Sequence, residues 1–464
     1  MPPLLGITLY MVAQFGIGVW VSRRIRTETD YILAGRSLGY GLATFSIFAT
    51  WFGAETIMGS AGLAYREGVS LGSAEPFGYG LCLVLFGLVF AVPLWKRQFT
   101  TLADLYRERY SVATERLAAV ILIPSSILWA AAQIRAFGYV LTTSSTMDAT
   151  TATAIAAGFT ILYAAFGGMM VDAITDMLQG VIIIVGLVVI LAAIVPLAGG
   201  AAAVADGAAG TRLHMLPQGE SALSLVESWA IPVAGSVIAT ELVGRALAAR
   251  SPMVAKRSFL MGGAMYLVVG SIPLIIGLIG PAVIPGMTDA EQLIPEVART
   301  LLPPALYAIF AGALLSAILS TVDSTLLTSS ALMSHNILVP VFGITDEARK
   351  VRASRAGVVA FGLVAYVLAT NAEGVFALVE EASAFGSAGV LVTASFALFT
   401  RWGGSRAAVA TLLAGMLSYV AASLAAVTAP YLLSLAVSLA TYLLVSLVER
   451  RLAVSIRPLN RFQV

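Results

Sequence analysis

Apolar residues run along this chain in long blocks separated by short polar segments, not at the spacing of a one-sided surface helix. A bilayer-spanning helix needs about 20 predominantly apolar residues. On that measure the blocks predict thirteen spans, at roughly 3–21, 38–65, 69–95, 114–142, 151–169, 174–196, 223–247, 258–285, 304–334, 355–371, 375–399, 407–427 and 430–448. One block departs from a plain hydrocarbon-facing pattern. The stretch FATWFGAETIMGSAG, residues 48–62, puts Gly53, Ala54, Glu55 and Thr56 near the middle of a span.

Charge placement gives the spans a direction. Short inner loops of membrane proteins collect Lys and Arg. Here one alternate set of loops holds 23 of the 27 basic residues, among them Arg23, Arg24, Lys96, Arg107, Arg245, Lys256, Arg349 and Arg450. The other set holds Arg66, Arg212 and Arg299, and Arg135 falls inside a span. The asymmetry predicts an N-terminus outside, a C-terminus inside and an odd number of spans. The first apolar block has its basic residues after it and none before it, so it reads as a retained helix and not as a signal peptide.

Composition narrows the function. Only 11% of residues are charged, against about 25% in soluble domains. The lone Cys82 excludes an internal disulfide, and two histidines, His214 and His335, cannot build a multi-histidine metal site. No P-loop, dinucleotide fingerprint or HExxH motif is present. No Ser/His/Asp or His/Cys set supplies catalytic chemistry, so an enzyme is not expected. The outside loops 197–222 and 286–303 do not resemble enzyme domains either.

Polar groups inside the spans carry the remaining information. Broken helices near the midplane offer unwound carbonyls to cations. Gly53 permits such a break and Glu55 needs a polar home, although an unbroken helix with Gly53 as a packing notch also fits. In GALLSAILSTVDSTLLTSS, 312–330, Ala317, Ser320, Thr321 and Ser324 share one helical face. Hydroxyls and a carbonyl on one face suit a hard monovalent cation; the alternative is helix–helix adhesion by the same hydroxyls. Thr175-Asp176 opens another span, either as a helix N-cap or as a polar site. Arg135, in LWAAAQIRAFG, is expensive in a membrane and should face a cavity or a carboxylate, with Glu75, Glu241, Glu380 and Glu381 as candidates.

Three stretches, in order, resemble the sodium/solute symporter family, which includes sodium–glucose, proline, pantothenate and choline transporters. They are TETDYILAGRSLGYGLATFSIFATW, FGGMMVDAITDMLQG and GALLSAILSTVDSTLLTSSALMSHNI, and the resemblance runs from about residue 20 to 400. It implies an all-α polytopic protein with a LeuT-like core of two inverted five-helix repeats, at 38–196 and 223–399. Residues 1–37 would be an N-terminal accessory helix and loop, 197–222 an outside loop, and 400–464 two accessory helices and a basic tail. The resemblance implies a sodium site made by carbonyls of Ala49, Phe52 and Ala317 with the hydroxyls of Ser320 and Thr321. Asp176 matches a family aspartate near a second, more cytoplasmic sodium site, so one or two sodium ions per cycle both remain open.

For the solute, ATWFGAETIMGSAG, EPFGYG and ILWAAAQIRAFG look most similar to the choline-transporter branch, with Trp51, Tyr79 and Trp129 at matching positions. Aromatic faces attract a quaternary ammonium. Ala239 stands where that branch has another aromatic, and Arg135 adds a cation, so a zwitterion such as an amino acid or betaine fits at least as well. Ordinary helix packing is the plainer reading of the three rings. The expected substrate contacts are Trp51, Gly53, Glu55, Tyr79, Trp129, Gln133 and Arg135. The chain is therefore expected to be a sodium-coupled symporter for an amino acid, betaine or amine, without an organic cofactor. Its expected partners are that solute, sodium and the bilayer, with no nucleic acid. Alternatives are a proton-coupled transporter titrating Glu55, Glu75 or Asp176, a monocarboxylate substrate, a sodium-leak channel, or a sensor. An Ala-rich chain whose inner loops favour Arg over Lys suits a bacterial cytoplasmic membrane.

Overall fold

The computed structural model describes residues 3–200, 202, 213–214, 221–372 and 374–455; most of loop 197–222, with Arg212, and the basic tail beyond Ser455 lie outside the described residues. The molecule is a bundle of helices: α1 (Pro3–Ser22), α2 (Glu28–Leu33), α3 (Tyr40–Trp51), α4 (Ser60–Glu67), α5 (Phe77–Arg97) and α6 (Ala103–Arg109). There follow α7 (Val112–Ser144), α8 (Ala149–Phe166), α9 (Met169–Leu197), α10 (Ala222–Ala230), α11 (Thr240–Ala248), α12 (Pro252–Val283) and α13 (Leu293–Leu301). Last come α14 (Pro304–Phe342), α15 (Glu347–Asn371), α16 (Val375–Ala384), α17 (Ser387–Phe399), α18 (Ser405–Leu424) and α19 (Pro430–Ser455). A two-residue parallel pairing of Val69–Ser70 with Leu213–His214 is the sheet among the described residues.

Eleven helical segments of the described chain are long and apolar enough to cross a membrane. Two further predicted spans are helical but fall short of that measure. The first has a shorter apolar stretch, Thr8–Ser22, and the second is divided into α3 and α4. Several helices begin earlier than the apolar blocks suggest, because their first turns are polar and capped. Asp346 accepts from the Arg349 amide at 3.0 Å, starting α15 well before the predicted 355. Ser251 caps α12 ahead of Pro252, whose missing N–H costs nothing at a first helical position.

Helix α14 is the axis of the bundle. Every residue from Phe310 to Leu332 is buried, as expected of a helix surrounded on all sides. It packs on α1, α7, α8, α9 and α15, while α3 lies between α9 and α12. Helices α18 and α19 pair with each other and with α17. This places the hydroxyl face of α14 opposite the end of α3.

Candidate functional site

The predicted break in the second span is present, and its cause is local. Helix α3 stops at Trp51, and Phe52 leaves helical geometry at φ −90°, ψ 62°. A continuing helix would bond the amides of Gly53 and Ala54 to the carbonyls of Ala49 and Thr50. Instead Gly53 N–H donates to Glu55 Oε1 at 3.3 Å and Ala54 N–H to Gln133 Oε1 at 2.9 Å. Gln133 Nε2 then donates to Glu55 Oε2 at 2.7 Å, tying the two side chains together. The captured amides release two carbonyls. Thr321 Oγ1 donates to that of Thr50 at 3.1 Å and to that of Ala317 at 3.4 Å, so α14 meets the break directly. Gly53 has no room for a side chain: a Cβ there would lie 2.6 Å from Glu55 Oε2 and 2.9 Å from both Gln133 Oε1 and Thr321 Oγ1. After the break the chain resumes through a wide turn at Glu55–Gly59.

The structure thus brings together Gly53, Glu55, Gln133, Ala317 and Thr321. Ser320 joins them to a second polar group. Its hydroxyl donates to Asp176 Oδ1, and Ser46 Oγ donates to Asp176 Oδ2 at 2.6 Å. Asp176 is not a helix cap: α9 begins at Met169, two turns earlier, and Thr175 bonds back to the carbonyls of Val171 and Asp172. Two members of this group were not apparent in the sequence. Asp172 pairs with Arg245, and Ser324 donates to Asp172 Oδ2 at 3.0 Å. Arg245 is no loop residue, contrary to the charge count; it is fully buried in α11, 3.9 Å from Asp176, because Asp172 supplies a counter-charge. Asp323 lies alongside with neither carboxylate oxygen hydrogen-bonded.

The three predicted aromatics also converge. Trp51 and Trp129 have ring centroids 4.9 Å apart, and Tyr79 lies 6.3 and 5.9 Å from them. They pack on one another and leave no ligand-sized space between their faces. Tyr79 OH shares a 2.8 Å hydrogen bond with Ser383. Beside Trp129, towards Ala239 and Glu241, is a cavity of about 20 Å³, near the room one water needs. On the other side of the rings, lined by Tyr79 and Glu75, is a cavity of about 560 Å³.

Arg135 is not brought to this group. Its guanidinium donates to Tyr139 OH and the Ala369 carbonyl, each at 3.1 Å, and lies 5.3 Å from the Tyr139 ring. Three of its expected carboxylate partners are engaged elsewhere: Glu75 with Thr56 and Tyr266, Glu241 with Ser126 and Thr328, Glu381 with Tyr419. The fourth, Glu380, lines the larger cavity. At the opposite end of the bundle, the His335 ring bridges Glu28 at 3.2 Å and Asp104 at 3.4 Å. Burial raises the Asp104 carboxyl, but His335 and the backbone amides of Thr101 and Thr100 outweigh it and hold that group below its ordinary value.

A second interruption lies between α10 and α11. The chain passes through a wide turn at Ile231–Gly235 and is extended at Ala239 (φ −60°, ψ 141°) before α11 starts. Pro232 and Gly235 are the signals that mark it in the sequence. Discontinuous helices meeting around buried polar groups are how many secondary transporters build their ion and substrate sites. The chain belongs to the sodium:solute symporter family, which it matches over residues 31–417.

Among its relatives, the high-affinity choline transporter 1 of Drosophila melanogaster is 25% identical over 394 residues, covering 81% of this chain and 63% of that protein. The chain thus spans less than two thirds of the fly protein's length. The human high affinity choline transporter 1 is 26% identical, with 81% and 69% covered. The sodium/pantothenate symporter of Escherichia coli (strain K12) is 26% identical, with 73% and 72% covered. In fold the chain is similar to a Na+-coupled sialic acid symporter in a substrate-bound outward-open state, with TM-score 0.83 at 16% identity, covering 100% of this chain and 99% of that one. It is also similar to Mhp1, a nucleobase-cation-symport-1 family transporter, with TM-score 0.62 at 15% identity, covering 93% and 95%.

Proposed function

We propose that this chain is a sodium-coupled symporter that imports a small organic solute, an amino acid, betaine or amine, by alternating access. The single observation that carries the reading is the capture of the Gly53 and Ala54 amides by Glu55 and Gln133. It leaves carbonyls at the end of α3 facing Ala317 and Thr321 on α14. Sodium is bound by the carbonyls of Ala49, Phe52 and Ala317 and by the hydroxyls of Ser320 and Thr321. A hydroxyl that donates its proton to Asp176, as Ser320 does, keeps its lone pairs for a cation. Asp176 with Ser46 is the candidate for a second ion, further along the same helices.

The halves 38–196 and 223–399 are the two repeats of the core, each opening on a broken helix, α3/α4 and α10/α11. Thirteen spans run from an outside N-terminus to an inside C-terminus, supported by the basic residues gathered in one set of loops. That orientation puts the 560 Å³ cavity on the outside and the closed face of the aromatic rings towards the inside. Sodium binding stiffens the break, and Glu55 and Gln133 carry that ordering to the solute side. Linkage then requires each ligand to raise the other's affinity by the same factor.

The buried set of Asp172, Asp176 and Asp323 against one Arg245 supports a second reading, in which a proton replaces sodium. Thermal unfolding of the purified protein in sodium, potassium and choline chloride separates the two. At sodium 100-fold above its Kd, stabilisation is about 2.7 kcal/mol. The shift should be specific to sodium and lost in Thr321→Val, which melts lower in potassium only by what its bond to the Thr50 carbonyl contributes, about 1 kcal/mol. A shift that ignores sodium and follows pH would overturn the sodium reading.

A further inference from the structure

The 560 Å³ cavity is of the size that holds a small organic ligand. It runs from Glu67 and Glu380, exposed at its rim, to Glu75 and Tyr79, both 4% exposed at its floor. Its described lining contains these three carboxylates and no Lys or Arg. A ligand's carboxylate would find no basic side chain there, whereas a ligand's ammonium group would find three carboxyl groups to accept its N–H bonds.

Glu75 defines what kind of cation fits. Its Oε1 accepts from Thr56 Oγ1 at 2.6 Å and from Tyr266 OH at 2.7 Å, which fixes the carboxyl group between the turn after the break and α12. Its Oε2 is buried and accepts no hydrogen bond. A buried acceptor without a donor is costly, and an incoming N–H removes that cost. A trimethylammonium head has charge but no N–H to give. Tyr79 and Phe376, lining the same space, offer aromatic surface for the ligand's apolar chain.

Resting on the transporter reading above, we propose that this cavity selects a protonated amine carrying N–H bonds, a primary amine or a diamine, with Glu75 as its innermost contact and Glu67 and Glu380 at the rim. The carboxylates lie at two levels, so a diamine engages floor and rim together. Thr56, which donates to Glu75, belongs to the wide turn that begins at Glu55. An amine at Glu75 therefore bears on the same turn that holds the break open.

The test is a binding series on the full chain with probes sharing a four-carbon chain: n-butylamine, 1,4-diaminobutane, butyltrimethylammonium, 4-aminobutyrate and butyrate. Affinities are measured by calorimetry in sodium chloride and again in potassium chloride. The two amines should bind at least about tenfold tighter than the other three, the size of one hydrogen bond to a charged group. Glu75→Gln should erase that preference while keeping the sodium-specific thermal shift measured without any organic ligand. The rim pair Glu67→Gln with Glu380→Gln should remove the advantage of the diamine over the monoamine, and it serves if Glu75→Gln does not fold. Butyltrimethylammonium or a carboxylate binding as tightly as the amines, or an unchanged ranking in the variants, overturns the proposal. Loss of the sodium shift in the unmodified protein, with the amine ranking intact in potassium, overturns the sodium reading alone.

Discussion

Gly53→Ala is the sharpest perturbation available to the sodium reading. The added methyl would lie 2.6 Å from Glu55 Oε2 and 2.9 Å from Gln133 Oε1 and Thr321 Oγ1, closer than real Cβ contacts come. All three neighbours are ends of side chains, so they move. Overpacking of this kind costs about 1–3 kcal/mol. Displacing Gln133 also loosens its 2.9 Å bond to the Ala54 amide, worth about 1 kcal/mol net. Alanine favours helix over glycine by about 1 kcal/mol, which drives the freed amides back towards the carbonyls of Ala49 and Thr50. Every one of these effects removes oxygen atoms from the cation.

A middle value of about 2 kcal/mol predicts sodium affinity weakened about 30-fold. The assay is a sodium titration of the thermal shift at constant ionic strength with potassium as the balancing ion. Gly41→Ala is the matched control: it lies on the same helix, α3, and a Cβ there meets nothing within 4 Å. It should leave sodium affinity unchanged. A Gly53→Ala protein that folds, melts normally in potassium and keeps its sodium midpoint within threefold would refute the assignment of the break as the ion site.

Two further outcomes follow from the same geometry. Arg245→Met leaves Asp172 buried without its counter-charge, a loss of about 3–5 kcal/mol when one partner of a buried pair is removed. Thermal unfolding in potassium should show it, with partial rescue by Asp172→Asn in a double-mutant cycle. Arg135→Gln should cost stability through its bonds to Tyr139 and Ala369, yet leave the order of ligand affinities unchanged. A reversal in favour of zwitterions would bring Arg135 back into recognition.

The parts of this architecture that were legible in the sequence are those a single helix reports about itself. The hydroxyls of Ser320, Thr321 and Ser324 share one face by spacing alone, and Gly53 marks a weak point by its lack of a side chain. The aromatic trio was legible only through the family resemblance, and the structure packs those rings together instead of opening a cage. Arg245 was misplaced because a charge near the end of an apolar block counts equally as a loop residue or as half of a buried pair. Its partner, Asp172, is 73 residues away and on another helix. The interruption at Ile231–Ala239 contains no charge and hydropathy passes smoothly through it, so Pro232 and Gly235 are faint marks beside the polar break at Gly53.

Glu55 and Gln133 show why such pairings change the meaning of a residue as well as its position. As isolated polar groups in apolar spans, both point to a solute. In the folded chain they are bonded to each other and to two backbone amides, so their first role is to keep a helix open. Under the proposed sodium-coupled function, that role would couple a solute and an ion without contact between them. On that reading, a ligand at Glu75 pulls on Thr56 in the turn that begins at Glu55, which alters the hold on the Gly53 amide and with it the freedom of the Ala49 carbonyl opposite. The same three bonds run in reverse when the ion arrives first. On the sodium-symport reading proposed above, coupling is a competition between side chains and helix for two N–H groups, and Gly53 is the residue at which that competition is decided.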